Sequence, residues 1–168
     1  MKHLIYLWLL ALITPSDANA LRSTAPEYLT TATAAVHLGA ARAEGDRYHV
    51  RPSDLLAIAW HESRYAPRTV TPEPGARVSC GVMTPTPQAR CNAVELTVVG
   101  GYAAGASHLR VWLDVCRGDR ACALGGYAGG YGLGQACARD VRLEACAVVR
   151  QFLWRSDAIS RAIGRPKP

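Results

Sequence analysis

Between Leu55 and Pro67 the chain reads L-L-A-I-A-W-H-E-S-R-Y-A-P. On a helix turning about 100° per residue, Leu55, Leu56, Ile58 and Ala59 share one apolar arc, with Trp60 on its edge. Glu62 falls inside that arc, one turn after Ile58, and Ser63 lies on the same side, while His61 and Arg64 point away. Pro67 disfavours helical geometry at Ala66, so the helix should stop near Tyr65, with Glu62 in its last turn. Upstream, Arg51-Pro52-Ser53-Asp54 opens the element, with Pro52 at the first helical position or Ser53 as the cap.

The same pattern predicts the rest of the chain. Glu27 to Ala43 is rich in Ala, Leu and Val and runs to Gly45, giving a first helix; its lone His37 is assigned no role. Residues 66–92 carry Pro67, Pro72, Pro74, Pro85 and Pro87 with Gly75 and Gly81, which forbid a long helix. Short extended segments fit Val78 to Met83. Helical periodicity returns from Glu95 to Val115 through Leu109, Val111, Trp112 and Val115, with Gly100, Gly101 and Gly105 as places of close packing. Asp119 to Gly126 forms a short helix entering Y-A-G-G-Y-G-L-G. The last helix spans Val141 to Ile163, with Val148, Val149, Phe152, Leu153 and Ile159 as core candidates, and Gly164 stops it. The expected fold is helix-dominated with little strand, an α+β arrangement with a Pro/Gly-rich loop or short β segment after the Glu62 helix.

The first twenty residues stand apart. Lys2 and His3 precede an unbroken apolar run from Leu4 to Ile13, and Ala18-Asn19-Ala20 is an A-x-A cleavage signal, the form of a secretory leader too short to span a bilayer. This divides the chain into a leader at 1–20, one domain at 21–163 and a flexible basic tail at 164–168. No later stretch reads as a membrane anchor, and the mature protein is expected to be secreted or periplasmic. Cys80, Cys91, Cys116, Cys122, Cys137 and Cys146 all follow the leader, and an even count in an exported chain reads as three disulfides. Many pairings are possible. Sequential pairing (80–91, 116–122, 137–146) is favoured because each bond closes a local loop, worth roughly 2–3 kcal/mol for loops this short. A zinc site is disfavoured, with no C-x-x-C pair or Cys/His cluster.

The formal charge is +6, almost all from arginine. The basic residues are scattered rather than bunched, which argues against a nucleic-acid interface and fits equally a surface attracted to an anionic polymer or a cationic surface with no such partner.

Candidate chemistry centres on Glu62. Burial disfavours the charged form of a carboxyl, and a carboxyl that holds its proton suits a general acid; the alternative is a Glu62 whose carboxylate reaches water past the helix end. Three other chemistries drop out. His61-Glu62 lacks the second His of H-E-x-x-H, since position 65 is Tyr65. The glycines from Gly125 to Gly134 lack the Lys-Ser/Thr of a phosphate loop. No G-x-S-x-G elbow occurs.

What remains is an ordered set of segments: Glu62-Ser63 at a helix end, Gly81-Val82-Met83 in the next loop, Ala104-Gly105 with Leu109 in the next helix, and Ala123 to Gly130 last. This order and spacing resemble the soluble lytic transglycosylase family, over about half of the mature chain, from Pro52 to Gly130. The resemblance implies a lysozyme-like fold and cleavage of the β-1,4 bond between N-acetylmuramic acid and N-acetylglucosamine in peptidoglycan glycan strands. It implies Glu62 as general acid and then base, forming a 1,6-anhydro sugar. It also implies sugar-binding roles for Ser63, Met83, Thr84 and Tyr127, and action as a monomer without metal or organic cofactor. The chain departs from the family at three places. Thr84 stands where the family's Gly-Leu-Met-Gln loop has Gln. Ala128 stands where Ala-Tyr-Asn-Ala-Gly has Asn. Gly101-Tyr102 replaces a frequent Asn-Ile. These departures bear on substrate fit and rate. The alternatives are a lysozyme-type hydrolase on the same fold and a catalytically weak cell-wall-binding protein.

Overall fold

A computed structural model describes residues 13–85 and 87–163, so most of the leader's apolar run and the basic tail lie outside the described residues. The described residues form six α-helices and one two-stranded sheet: α1 (Pro15–Ser23), α2 (Thr31–Tyr48), α3 (Pro52–Ser63), β1 (Val70–Glu73), β2 (Arg77–Cys80), α4 (Val98–Val115), α5 (Arg120–Arg139) and α6 (Ala147–Ile163). A single 3-10 turn, Glu144–Cys146, leads into α6. The helix-dominated architecture with a small sheet after the Glu62 helix is the one expected.

The middle of the fold is α3, which packs against α2 and α6 and more lightly against α4. Seven consecutive residues, Ser53 to Ala59, are buried. A helix enclosed on every side must be apolar all round or pair its polar groups. Here Asp54 accepts from Arg120 of α5 at 2.9 and 3.0 Å and from the Ser156 hydroxyl of α6 at 2.6 Å. Arg120 also reaches Asp157. This network fastens the start of α3 to α5 and α6.

Several boundaries differ from the sequence reading. Thr30 and Thr33 form a reciprocal capping box, so α2 begins at Thr31 rather than near Glu27. Gly45 does not stop α2. A Cβ there would sit 2.9 Å from the Val50 carbonyl oxygen, so the glycine admits the chain that doubles back, and His49 ends the helix at φ 54°. Val111 and Val115 are exposed while Leu109 is buried. In the last helix Val149, Phe152 and Ile159 are buried, and Val148 and Leu153 pack at the core's edge.

The largest difference is in α5. The expected short helix ends neither at Gly126 nor in a loop. Two helical arms meet at a bend at Gly129 (φ −155°) and Gly130 (φ 80°). The arms fold onto one another, so a Cβ on Gly125 would lie 2.9 Å from the Gly134 Cα. Only glycines let backbones approach that closely.

The expected cleavage signal also has structure. Ala18-Asn19-Ala20 lies within α1, whose Ala18 and Leu21 are buried and whose Asp17 pairs with Arg42.

All six cysteines are paired, Cys80–Cys91, Cys116–Cys122 and Cys137–Cys146, in the sequential order expected. The first fastens β2 to the loop beyond it, the second joins the end of α4 to the start of α5, and the third joins the end of α5 to the 3-10 turn. Such bonds persist in oxidising compartments, consistent with a secreted protein. Among the described residues, no helix is long and apolar enough to cross a membrane.

Candidate active site

The site begins where α3 stops. Arg64 and Tyr65 both take left-handed backbone angles (φ 54° and 65°), unusual for residues with side chains. The Arg64 N–H returns to the Trp60 carbonyl at 3.1 Å and the Tyr65 N–H to that of Ala59 at 3.3 Å. The Arg64 guanidinium donates to the Trp60 and His61 carbonyls and lies over the Trp60 ring, which carries Arg155 at 3.3 Å. The Ala59, Trp60 and His61 carbonyls near the end of the helix are thereby satisfied.

Glu62 emerges at this end with its side chain 25% exposed. Of the two placements open to Glu62, enclosed with the apolar arc or reaching water past the helix end, the first is corrected: α3 is sealed only to Ala59, and its last turn opens to solvent. The Thr84 hydroxyl donates to Glu62 Oε2 at 2.8 Å. His61 Nδ1 lies 3.5 Å from Oε1.

The loop that follows β2 is gripped residue by residue. Ser63 Oγ is 2.8 Å from the Val82 carbonyl oxygen and 3.1 Å from that of Ala59. The Tyr127 hydroxyl, on α5, donates to the Met83 carbonyl at 2.7 Å. Burial, and secondarily the nearby Glu62 carboxylate, hold the Tyr127 phenol well above its ordinary pKa, so it stays a donor. The side chains of Val82 and Met83 close against Gly101 and Gly105 of α4, where added Cβ atoms would come within 2.8 and 2.3 Å of them. Thr84 follows at φ 41°, a region β-branched residues seldom adopt, and its hydroxyl contact with Glu62 is made from that backbone position.

The four segments singled out in the sequence thus converge on one loop, but the roles of their residues divide. Glu62 and Thr84 face outward together. Ser63 and Tyr127 spend their hydroxyls on loop carbonyls. Met83 is fully buried, so its expected place against a sugar is corrected to a core contact with α4. Ala128 is exposed at the end of the first arm of α5.

Beside this loop lies a cleft of about 310 Å³ lined by Pro85, Gln88, Glu95, Ala104, Ser107, His108 and Val111. Pro85 adjoins Thr84, and the His108 ring meets the Tyr127 ring edge-on at 5.1 Å. His108 Nε2 accepts from Trp112 Nε1 at 3.1 Å, and burial lowers its pKa, which keeps the ring neutral with its proton on Nδ1. Sequence reasoning missed His108 and Gln88, and it set Glu95 aside because that residue sits in no matching motif. Ala104, Ser107, His108 and Val111 follow helical i, i+3, i+4, i+7 spacing, the signal of one shared face.

Other carboxylates near Glu62 in sequence each have hydrogen-bond partners of their own. Asp54 is buried in the Arg120 network, Glu73 accepts from Ser79 at 2.8 Å, and Glu95 accepts from Gln88 and from the Asn92 N–H. Compared with known proteins, the chain matches no family model, no curated protein and no solved structure.

Proposed function

We propose that the protein is an exported lytic transglycosylase acting on peptidoglycan glycan strands. The observation that carries this reading is the Glu62 carboxyl, partly open at the end of a buried helix and held on one oxygen by Thr84, whose chain neighbour Pro85 lines a cleft. Glu62 gives its proton to the glycosidic oxygen as the bond to the muramoyl C1 breaks. The resulting carboxylate takes the proton of the muramoyl 6-hydroxyl as that oxygen bonds to C1, leaving a 1,6-anhydro end. One group serves both halves, which suits a site where Asp54 and Glu73 are bound elsewhere. Ser63 and Tyr127 act by fixing the loop that carries Thr84. A net charge of +6 favours approach to an anionic wall, and the disulfides suit the periplasm.

A second reading has one observation in its favour: Glu95 lines the cleft and offers a second carboxylate, as hydrolytic glycosidases require. Mass spectrometry of purified peptidoglycan digests separates the readings. Anhydro ends are expected, reducing ends would assign a hydrolase, and no release would leave a wall-binding protein. In the same assay Glu62→Gln should lower release by about 10²–10⁴-fold, the usual worth of general acid–base catalysis, while binding to insoluble peptidoglycan persists. Wild-type turnover in a folded Glu62→Gln protein would overturn the assignment.

A further inference from the structure

Next to Glu62, His61 carries a ring nitrogen that nothing described so far uses. Its side chain is 32% exposed, yet Nδ1 itself is buried and has no hydrogen-bond partner among the described residues. A buried polar atom left unpaired is unfavourable and calls for an explanation. The ring stands edge-on to Phe152 of α6, with centroids 5.0 Å apart and planes at 79°, which fixes the direction in which Nδ1 points. That direction brings it to 3.5 Å from Glu62 Oε1, the oxygen that Thr84 does not hold. The carboxyl therefore has a made contact on one side and an unmade one on the other.

We propose that His61 is a positioning residue for Glu62, its Nδ1–H closing onto Oε1 when Glu62 gives up its proton. The inference rests on the function proposed above. A carboxylate accepts hydrogen bonds more strongly than the neutral acid, so the contact strengthens in the step that creates the charge. A small rotation about the side-chain torsions of Glu62 shortens the gap, and Phe152 keeps the imidazole from turning away. Thr84 and His61 would then hold the two oxygens from opposite sides, fixing the plane of the group that must return to the 6-hydroxyl. Donation needs the proton on Nδ1, which leaves Nε2 to accept from water on the open side of the ring.

Three variants test this on purified peptidoglycan: His61→Asn, whose amide reaches the place of Nδ1, His61→Gln, whose amide reaches that of Nε2, and His61→Phe, which keeps the ring contact alone. His61→Phe should lose roughly tenfold in kcat, as expected for one charge-assisted hydrogen bond, with KM and binding to insoluble peptidoglycan nearly unchanged. His61→Asn should recover most of the loss and His61→Gln should not. Equal kcat in wild type and His61→Phe, or equal loss in Asn and Gln, would overturn the proposal. If His61→Phe does not fold, the Asn and Gln pair decides alone. Loss of function in Glu62→Gln together with normal His61 variants would refute this role and leave the reading of Glu62 intact. Wild-type turnover in Glu62→Gln would remove both.

Discussion

Thr84 and His61 show what a helical wheel can and cannot give at the level of single residues. The wheel places Glu62 inside the apolar arc, because the direction of a Cα–Cβ bond follows from sequence spacing, but it does not show that the last turn of the helix opens to solvent. It places His61 pointing away, which holds for the backbone but not for a ring turned by Phe152, a residue far along the chain. Thr84 is legible only as a departure from a pattern; its left-handed backbone and its contact with Glu62 are set by the grip of Ser63 and Tyr127 on the preceding carbonyls. His37 carries a prediction of its own. It is buried with Nδ1 3.2 Å from the Tyr102 hydroxyl. Burial, opposed in part by a bond to the Tyr65 backbone, lowers its pKa from 6.5 to about 4. Between those values the unfolded chain binds a proton that the folded chain refuses. The stability gained from a neutral His37 is complete above pH 6.5 and is lost as pH falls toward about 4. The full difference is about 3 kcal/mol. Chemical denaturation at pH 7 and pH 4.5 should show this loss in the wild type and a smaller one in His37→Gln. Equal pH dependence in the two proteins would count against it.

Among elements, the existence and order of α2 to α6 and the position of the small sheet were readable, because each rests on local periodicity and on proline. The doubled-back α5 was not. Glycine weakens a helix locally, and the compensation here is non-local: Gly125 against Gly134, and Gly126 against the Trp112 ring. The leader reading meets a related limit. A peptidase acting after Ala20 would cut inside α1 and would have to act before that helix packs on α2. The packing of α4 on the loop supplies a test. A Cβ on Gly105 would fall 2.3 Å from the Met83 sulfur and 2.7 Å from its Cβ. Overfilling a packed site typically loses about 1–3 kcal/mol, so Gly105→Ala should lower the denaturation midpoint by that measure. On the function proposed above, turnover should fall further than binding to peptidoglycan, because Thr84 follows Met83. Unchanged stability would mean that Met83 has free space, and the loop would then not be set by α4.

At the scale of the whole molecule, each cystine joins neighbours in the order of the cysteines, with separations of 11, 6 and 9 residues, so the three covalent rings lie one after another along the chain and none encloses another. A chain entering an oxidising compartment from its N-terminus presents these thiols two at a time. Joining each new cysteine to the one just before it yields the native set without a wrong bond to undo. Reduced, denatured protein should therefore regain its native peptide map with a simple thiol oxidant and no shuffling catalyst; persistent mixed pairings, such as Cys91 with Cys116, would refute this. In a chain exported from its N-terminus, this arrangement would tie covalent maturation to the direction of export, asking the surroundings for electron acceptors but not for proofreading of the bonds.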